Sequence, residues 1–451
     1  MEVDRVTGLL RTCKGLRKLT TLNTDVTDAA YDVINKLFVF FGADRHVYIT
    51  SNFSSVSDVG VLTGSENIVT ASWENGLLIA SGGQLQYYDG KDLSTISTAP
   101  RHCRGVFIRS GRVLTMDDSD NVLYSGIGDE TNWTQDSNDP ATSQFAQIGY
   151  KVGGKLIGAV NLSSDILFLK DNGMVFRLQN EYPDWKISEV GREIYCKGPL
   201  SFANVGNNVV ILGTTLQNVV TTQDYGDMKP IDIGQKVIRE IAAMPASTKL
   251  RYVPIWNQLW FIEGTTHALV LDCTTGAFFE RTFYYPVVDI LTVDDTVYLA
   301  RKNALCDFID DFSDCDQPLH FHAKFKTATS PEHNILVRRV AMGITPYDTR
   351  VSGKNCKINV GKLSYPFPSR VTDKDECIIS TPNRETAFIN SSNELYGNRE
   401  QVSMNEDYLS PTDIIIFRAR GVDRGTRIRT DIEGDGYSFI LNFIGYDMVE
   451  V

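Results

Sequence analysis

The feature that most constrains this chain is an apolar hairpin that recurs along two thirds of its length. Its clearest copy is Ile166 to Leu178, ILFLKDNGMVFRL: an apolar run, a polar tip at Asn172-Gly173 and a second apolar run. The Asn-Gly pair tolerates positive φ, so a type I′ turn is expected there. Both arms are apolar at nearly every residue, which predicts a hairpin covered on both faces. A lone hairpin cannot achieve that, but hairpins packed face to face can. The pattern returns in segments starting at Leu37, Leu77, Val113, Val209, Leu259 and Thr296. Steps between successive starts are 40, 36, 53, 43, 50 and 37 residues. A strand-bearing unit of about 40 to 50 residues is the mark of a β-propeller. A long meander or two sandwiches would give a similar texture. Six blades are expected, with seven left open, because the hairpin at Thr296 either completes the last blade or stands outside it.

The acidic run Asp307 to Pro318 closes the repeat region and sets the expected boundary: a propeller over 1–317 and a second domain over 318–451. That second part has six alternating strands, beginning near His320, Ile335, Lys357, Asp413, Thr426 and Tyr437, and reads as β-sandwich-like. The whole chain is therefore expected to be all-β. Residues 372–408, rich in Asn, Ser and Glu, read as a long polar excursion. Near the start, the segment around Gly15 to Leu19 is expected to pair at the propeller edge and help close it. Ile233 to Met244 is the best helical stretch, placed as a short excursion between blades.

Charge and cysteine content narrow the function classes. The net charge is −12, which argues against a protein that grips nucleic acid through its phosphates but not against DNA passing without sticking. Eight cysteines occur with no CxxC pair, and MEVDRVTG is not an apolar leader, so reduced thiols in a cytosolic folding compartment are expected. No run of 18 apolar residues is present. The two matches to the glycosylation pattern, at Asn132 and Asn161, carry little meaning without secretion.

Candidate chemistry is sparse. Cys306, Cys315, His320 and His322 offer zinc-type donors within 17 residues, but in no recognised zinc spacing; two partly exposed histidines on one strand is the plainer reading. Asp117, Asp118, Asp120 and Asn121 lack the EF-hand layout and read as a polar turn, as do Asp310, Asp311, Asp314 and Asp316. GxSxG, HExxH and phosphate-loop patterns are absent. The expectation is no enzyme, no cofactor and no metal. In GDETNW (Gly128 to Trp133) and NEYPDW (Asn180 to Trp185) the tryptophan is expected to plug a groove between blades, with sugar stacking as the functional alternative. The one local reversal of sign is an Arg strip: Arg418 and Arg420 on one strand face, Arg427 and Arg429 on another, Arg424 between. It is either a solvated sheet face or a docking surface for an acidic neighbour, with DNA phosphates a weaker option.

Taken together, the chain resembles the packaged-DNA stabilisation (tail hub or nozzle) proteins of short-tailed, podovirus-type bacteriophages. The likeness rests on TGLLRTCKGLRKL (Thr7 to Leu19), where Lys14-Gly15 stands in place of the family's usual Pro-Gly, and on NGLLIASGGQLQYYDGK (Asn75 to Lys91). It continues through SDILFLKDNGMVFRLQN (Ser164 to Asn180) and REIYCKGPLSFANVGNNVVILG (Arg192 to Gly213), and ends with NREQVSMNEDYLSPTDIIIFRARGVDRGTRIRT (Asn398 to Thr430). These motifs are diffuse but cover most of the chain in order.

The resemblance implies a structural virion protein without catalysis. Such proteins form a ring, typically a hexamer, below the portal and adaptor. The ring extends the DNA channel, helps retain packaged DNA and mounts the tail needle, spikes or fibres. Six copies would carry −72 (six times −12), a wall that double-stranded DNA slides past without specific binding. The expected place is the virion tail, assembled in the host bacterial cytoplasm. The competing readings are a carbohydrate-binding or glycan-degrading tail propeller and a cellular propeller scaffold.

Overall fold

The computed structural model describes residues 10–221 (apart from 118, 137, 140, 163 and 164), 228–309 and 313–325, together with residues 2–3, residue 356 and strand segments between 328 and 450. The chain divides into two compact units, residues 18–307 and residues 1–17 with 308–451.

The first unit is a β-propeller built from four-stranded antiparallel sheets. Blades 1 to 6 span residues 26–61, 69–95, 106–147, 156–191, 202–232 and 249–282. A seventh sheet is composite. Val287–Val293, Thr296–Arg301 and Ala304–Ile309 supply three strands, and Gly15–Thr21 from the start of the chain lies beside the third. Leu22 N–H donates to the Asn303 carbonyl (2.8 Å), holding the N-terminal segment in place. The count is thus seven rather than six, because the hairpin at Thr296 is the middle of its own blade. Its fourth strand comes from the other end of the chain, and the pairing leaves no open edge on Ala304–Ile309.

The doubly apolar strands have a direct explanation. In blade 1, Phe38 and Phe40 pack with Val288 and Ala300 of blade 7, while Val39 and Phe41 pack with Leu77 and Ile79 of blade 2. Leu78 and Ala80 then turn to Val106 and Val113 of blade 3. Blade 3 meets blade 4 through Leu114, Met116, Ile166 and Phe168; blade 4 meets blade 5 through Leu167, Leu169, Val209 and Ile211. Val210 and Leu212 reach Leu259 and Phe261 of blade 6. Side chains alternate faces along a strand, so each blade's second strand offers odd residues to one neighbour and even residues to the other. Each such Leu, Ile, Val or Phe contributes about 1.5–3 kcal/mol by leaving water. The clusters run from blade 7 through blade 1 and on to blade 6.

Local expectations fare unevenly. The turn at Asn172-Gly173 is not type I′. Four residues, Asp171 to Met174, separate the strands, Gly173 N–H donates to the Lys170 carbonyl (3.1 Å), and only Gly173 has positive φ (79°). A type I turn followed by a left-handed glycine accounts for this. The helical stretch is a 3-10 turn, Gln235–Val237, running into a short helix, Ile238–Ala243, between blades 5 and 6. Lys197 Nζ binds the carbonyls of Ile241 and Met244 at its C-terminal end (2.5 and 2.6 Å).

The second unit is also β. One sheet has five strands in the order Glu2–Val3, Leu10–Arg11, Phe439–Glu450, Ile335–Pro346, Asp413–Arg418. The other has four: His320–Lys324, Thr430–Asp435, Lys357–Val360, Leu363–Pro366. Phe321 of one sheet and Phe439 of the other meet edge-on at 5.2 Å, the contact expected inside a sandwich. The expected boundary at 317/318 therefore moves to 307/308, and residues 1–17 belong with the C-terminal unit: Leu10 and Arg11 pair with Leu441 and Ile440. The propeller is an insertion between two parts of this second unit. The polar excursion at 372–408 holds a three-stranded antiparallel sheet (Cys377–Ser380, Thr386–Ile389, Leu395–Tyr396) rather than loop alone.

Candidate functional site

The first strand of every blade contributes to one cavity of about 420 Å³, which marks it as the propeller axis. Its walls are small or apolar for most of the circuit: Ala29 and Ala30 of blade 1, Val69 of blade 2, Gly158 and Ala159 of blade 4, Phe202 of blade 5. Gly158 is required by packing, since a Cβ there would run into the Phe202 ring. Duplex DNA, with a major groove about 12 Å wide and 8.5 Å deep, does not fit in a cavity of about 420 Å³.

Charge gathers on one side of the axis. Asp28 stands on the first strand of blade 1, Lys249 and Arg251 on that of blade 6, and Asp289 on that of blade 7. Arg251 grips Asp289 in a bidentate pair, Nε to Oδ1 at 2.8 Å and a terminal nitrogen to Oδ2 at 3.0 Å. Lys249 Nζ lies 2.9 Å from Asp28 Oδ2 and 3.8 Å from Asp289 Oδ2. Arg251 also approaches Asp28 Oδ1 at 3.6 Å. The backbone N–H groups of Ala29 and Ile290 donate to the same carboxylates. Two cations and two buried carboxyl groups form a knot of charge across three blades. Paired and hydrogen-bonded in this way, buried charge is tolerated.

The two acids are driven apart. Burial pushes Asp28 up to about 7, reinforced by the neighbouring Asp289 charge and only partly offset by Lys249. Burial acts on Asp289 in the same direction, but Arg251 and Lys249 outweigh it and hold this carboxyl well below the usual range. Arg251, in turn, is held more firmly protonated by Asp289 and Asp28, against the effect of burial. None of these four residues lies in a recognisable sequence motif. The available signal was an Asp inside an apolar run, Val287-Val288-Asp289-Ile290-Leu291.

Some of the residues singled out from sequence fall within described elements. Arg418 ends a strand of the five-stranded sheet, opposite Arg339, while Arg427 belongs to a separate two-stranded pair, opposite Thr329. Arg420, Arg424 and Arg429 lie outside the described residues. Cys306 is buried in blade 7, in the propeller unit, whereas Cys315, His320 and His322 belong to the other unit. The histidines meet carboxylates instead: His320 Nδ1 lies 2.9 Å from Asp435 and His322 Nε2 3.2 Å from Asp431. Asp117 accepts from the backbone and hydroxyl of Ser119, so it shapes a turn; Asp118, Asp310 and Asp311 lie outside the described residues. Trp133 packs against the core between blades 2 and 3, and Trp185 against that between blades 3 and 4, as groove plugs.

No family model matches this chain, and no curated protein does. Solved structures resemble about two thirds of it. The WD40 β-propeller domain of Doa1 aligns over 66% of this chain and 98% of its own with 12% identity and a TM-score of 0.44. The computationally designed Ika8 protein covers 65% and 100%, with 11% identity and a TM-score of 0.41. YCF48 bound to D1 peptide covers 66% and 96%, with 10% identity and a TM-score of 0.41.

Proposed function

We propose that this chain is a structural subunit of the tail nozzle of a short-tailed bacteriophage. In this reading it assembles as a ring, hexameric by resemblance, below the portal and adaptor. It acts by packing and by shaping a passage, with no turnover. The observation that carries the reading is the closed seven-bladed ring around an axis too narrow for a duplex. In this reading the DNA channel is formed between copies rather than along the propeller axis. The net charge of −12 suits a wall along which DNA moves without being held. The Arg strip, Arg418, Arg420, Arg424, Arg427 and Arg429, is the proposed contact with an acidic neighbour, either a second copy or the adaptor.

The test is the mass of the purified chain alone and after mixing with the portal–adaptor assembly of the same virus. A ring that forms on the adaptor supports the reading; a chain indifferent to the adaptor overturns it. The paired substitution Arg418→Glu, Arg420→Glu is expected to block ring or tail assembly while leaving thermal unfolding of the isolated chain unchanged.

A further inference from the structure

The four-stranded sheet of the second unit places a mixed set of donor atoms on one face. His322 stands opposite Glu433 in the pair His320–Lys324 with Thr430–Asp435, and Asn359 stands opposite Asp431 across the next pair. Phe321, Ile432 and Ile358, on the alternate positions, are buried, so the polar residues share the other face. One donor atom from each of His322, Asp431 and Glu433 lies within 4.8 Å of the others. Among the described residues, no other three His, Cys, Asp or Glu side chains converge in this way. Asn359 Nδ2 reaches Asp431 at 3.2 Å and Glu433 at 3.0 Å.

Two features separate this group from an ordinary acidic surface. An imidazole nitrogen is aimed at the carboxylates, giving the nitrogen-plus-oxygen donor set that suits a borderline transition ion rather than Ca²⁺ or Mg²⁺. A half-turn of the Asn359 amide exchanges its NH₂ for its oxygen and supplies a fourth donor without moving the backbone. The central strand also carries three carboxylates, Asp431, Glu433 and Asp435, against two lysines on the same face, Lys324 and Lys357. Lys357 holds Glu433 at 2.9 Å, but its side chain is 48% exposed and is free to swing aside.

We propose that His322, Asp431 and Glu433 form a zinc site, with Asn359 or a water as the fourth ligand, bracing strands His320–Lys324 and Thr430–Asp435 against each other. Zinc takes the Nε2 lone pair, so the ring's single hydrogen stands on Nδ1 in the loaded site and any second ring proton is released to solvent, leaving the imidazole neutral and the carboxylates ionised. The proposal is independent of the nozzle reading.

Equilibrium dialysis of the chelator-treated full chain against ZnCl₂ tests it. One ion per chain is expected, unaffected by excess Ca²⁺ or Mg²⁺. His322→Gln and Glu433→Gln, both close in size to the native residues, are each expected to weaken binding more than the 10- to 100-fold that follows loss of an outer-shell partner. His320→Gln, whose partner is Asp435, leaves binding intact, and Lys357→Met leaves it unchanged or tighter. Absence of zinc from the wild-type chain overturns the proposal. So does zinc that survives His322→Gln but is lost on alkylation of the thiols, which would place the ion on cysteine.

Discussion

Arg251 holds Asp289 through two parallel hydrogen bonds of 2.8 and 3.0 Å, and in doing so ties the first strand of blade 6 to the first strand of blade 7. The pair sits beside Asp28 of blade 1, so one knot of charge spans the part of the ring where the composite blade closes it. Hydrophobic faces alone would let neighbouring blades slide; a bidentate pair fixes register as well as proximity.

Removing one partner of this knot should be costly. Asp289 is fully buried, and Asp289→Ala leaves Arg251 without its main counter-charge. A loss of about 3–5 kcal/mol is expected in urea unfolding. Replacing Arg251 and Asp289 together by Met and Leu should recover much of it, because the buried charge goes with both partners. A double variant no more stable than Asp289→Ala would show that the pair is not the source of the loss.

Stability should depend on pH through Asp28. With its folded value raised to about 7, and an unfolded value of about 3.9, Asp28 keeps a proton on folding between roughly pH 4 and 7. Unfolding releases that proton, so stability falls as pH rises through this window. Asp289 acts oppositely: its depressed value adds stability that is present above about pH 4 and lost below it. A maximum in mildly acid solution is expected. Asp28→Asn, which mimics the protonated form, should flatten the slope between about pH 4 and 7 in denaturant titrations at fixed ionic strength.

Gly158→Ala should lower the melting temperature. The new methyl group overlaps the Phe202 ring across the blade 4–blade 5 boundary. Overpacking of this kind costs about 1–3 kcal/mol. Phe202→Leu in the same chain should relieve it, and a double-mutant cycle that shows no coupling would contradict the predicted clash.

Thr20→Pro should open the composite blade. Thr20 is buried within Gly15–Thr21, and proline removes a ladder donor from a strand that covers Ala304–Ile309. Rapid cleavage near residue 22 in limited proteolysis is expected, with association through the exposed edge visible in gel filtration. Cleavage no faster than in the parent chain would count against the N-terminal strand as the closure.

Much of the fold was legible because blade packing writes itself into local sequence. Phe38 to Phe41 read as a continuous apolar run, and each alternate residue does face a different neighbour. Trp133 and Trp185 followed the same logic. The turn at Gly173 departs from type I′ because Asn-Gly is a signal for two-residue loops, and the loop here has four residues, a length set by where the flanking strands stop pairing. The Arg strip is a pattern along the chain, and Arg418 and Arg427 fall in different sheets.

By itself, the sequence determined the class of structure: all-β, repeating, with strands apolar on both faces and a second β region after the repeats. These properties follow from residue periodicity and turn chemistry, which act over a few residues. Tertiary structure alone decided the seventh blade, the insertion of the propeller within the second unit, and both polar clusters. Gly15–Thr21 finds Ala304–Ile309, Asp28 finds Lys249, and His322 finds Asp431, each across more than 100 residues. No local propensity encodes such meetings; they exist only once ring closure and cross-strand register bring the segments together.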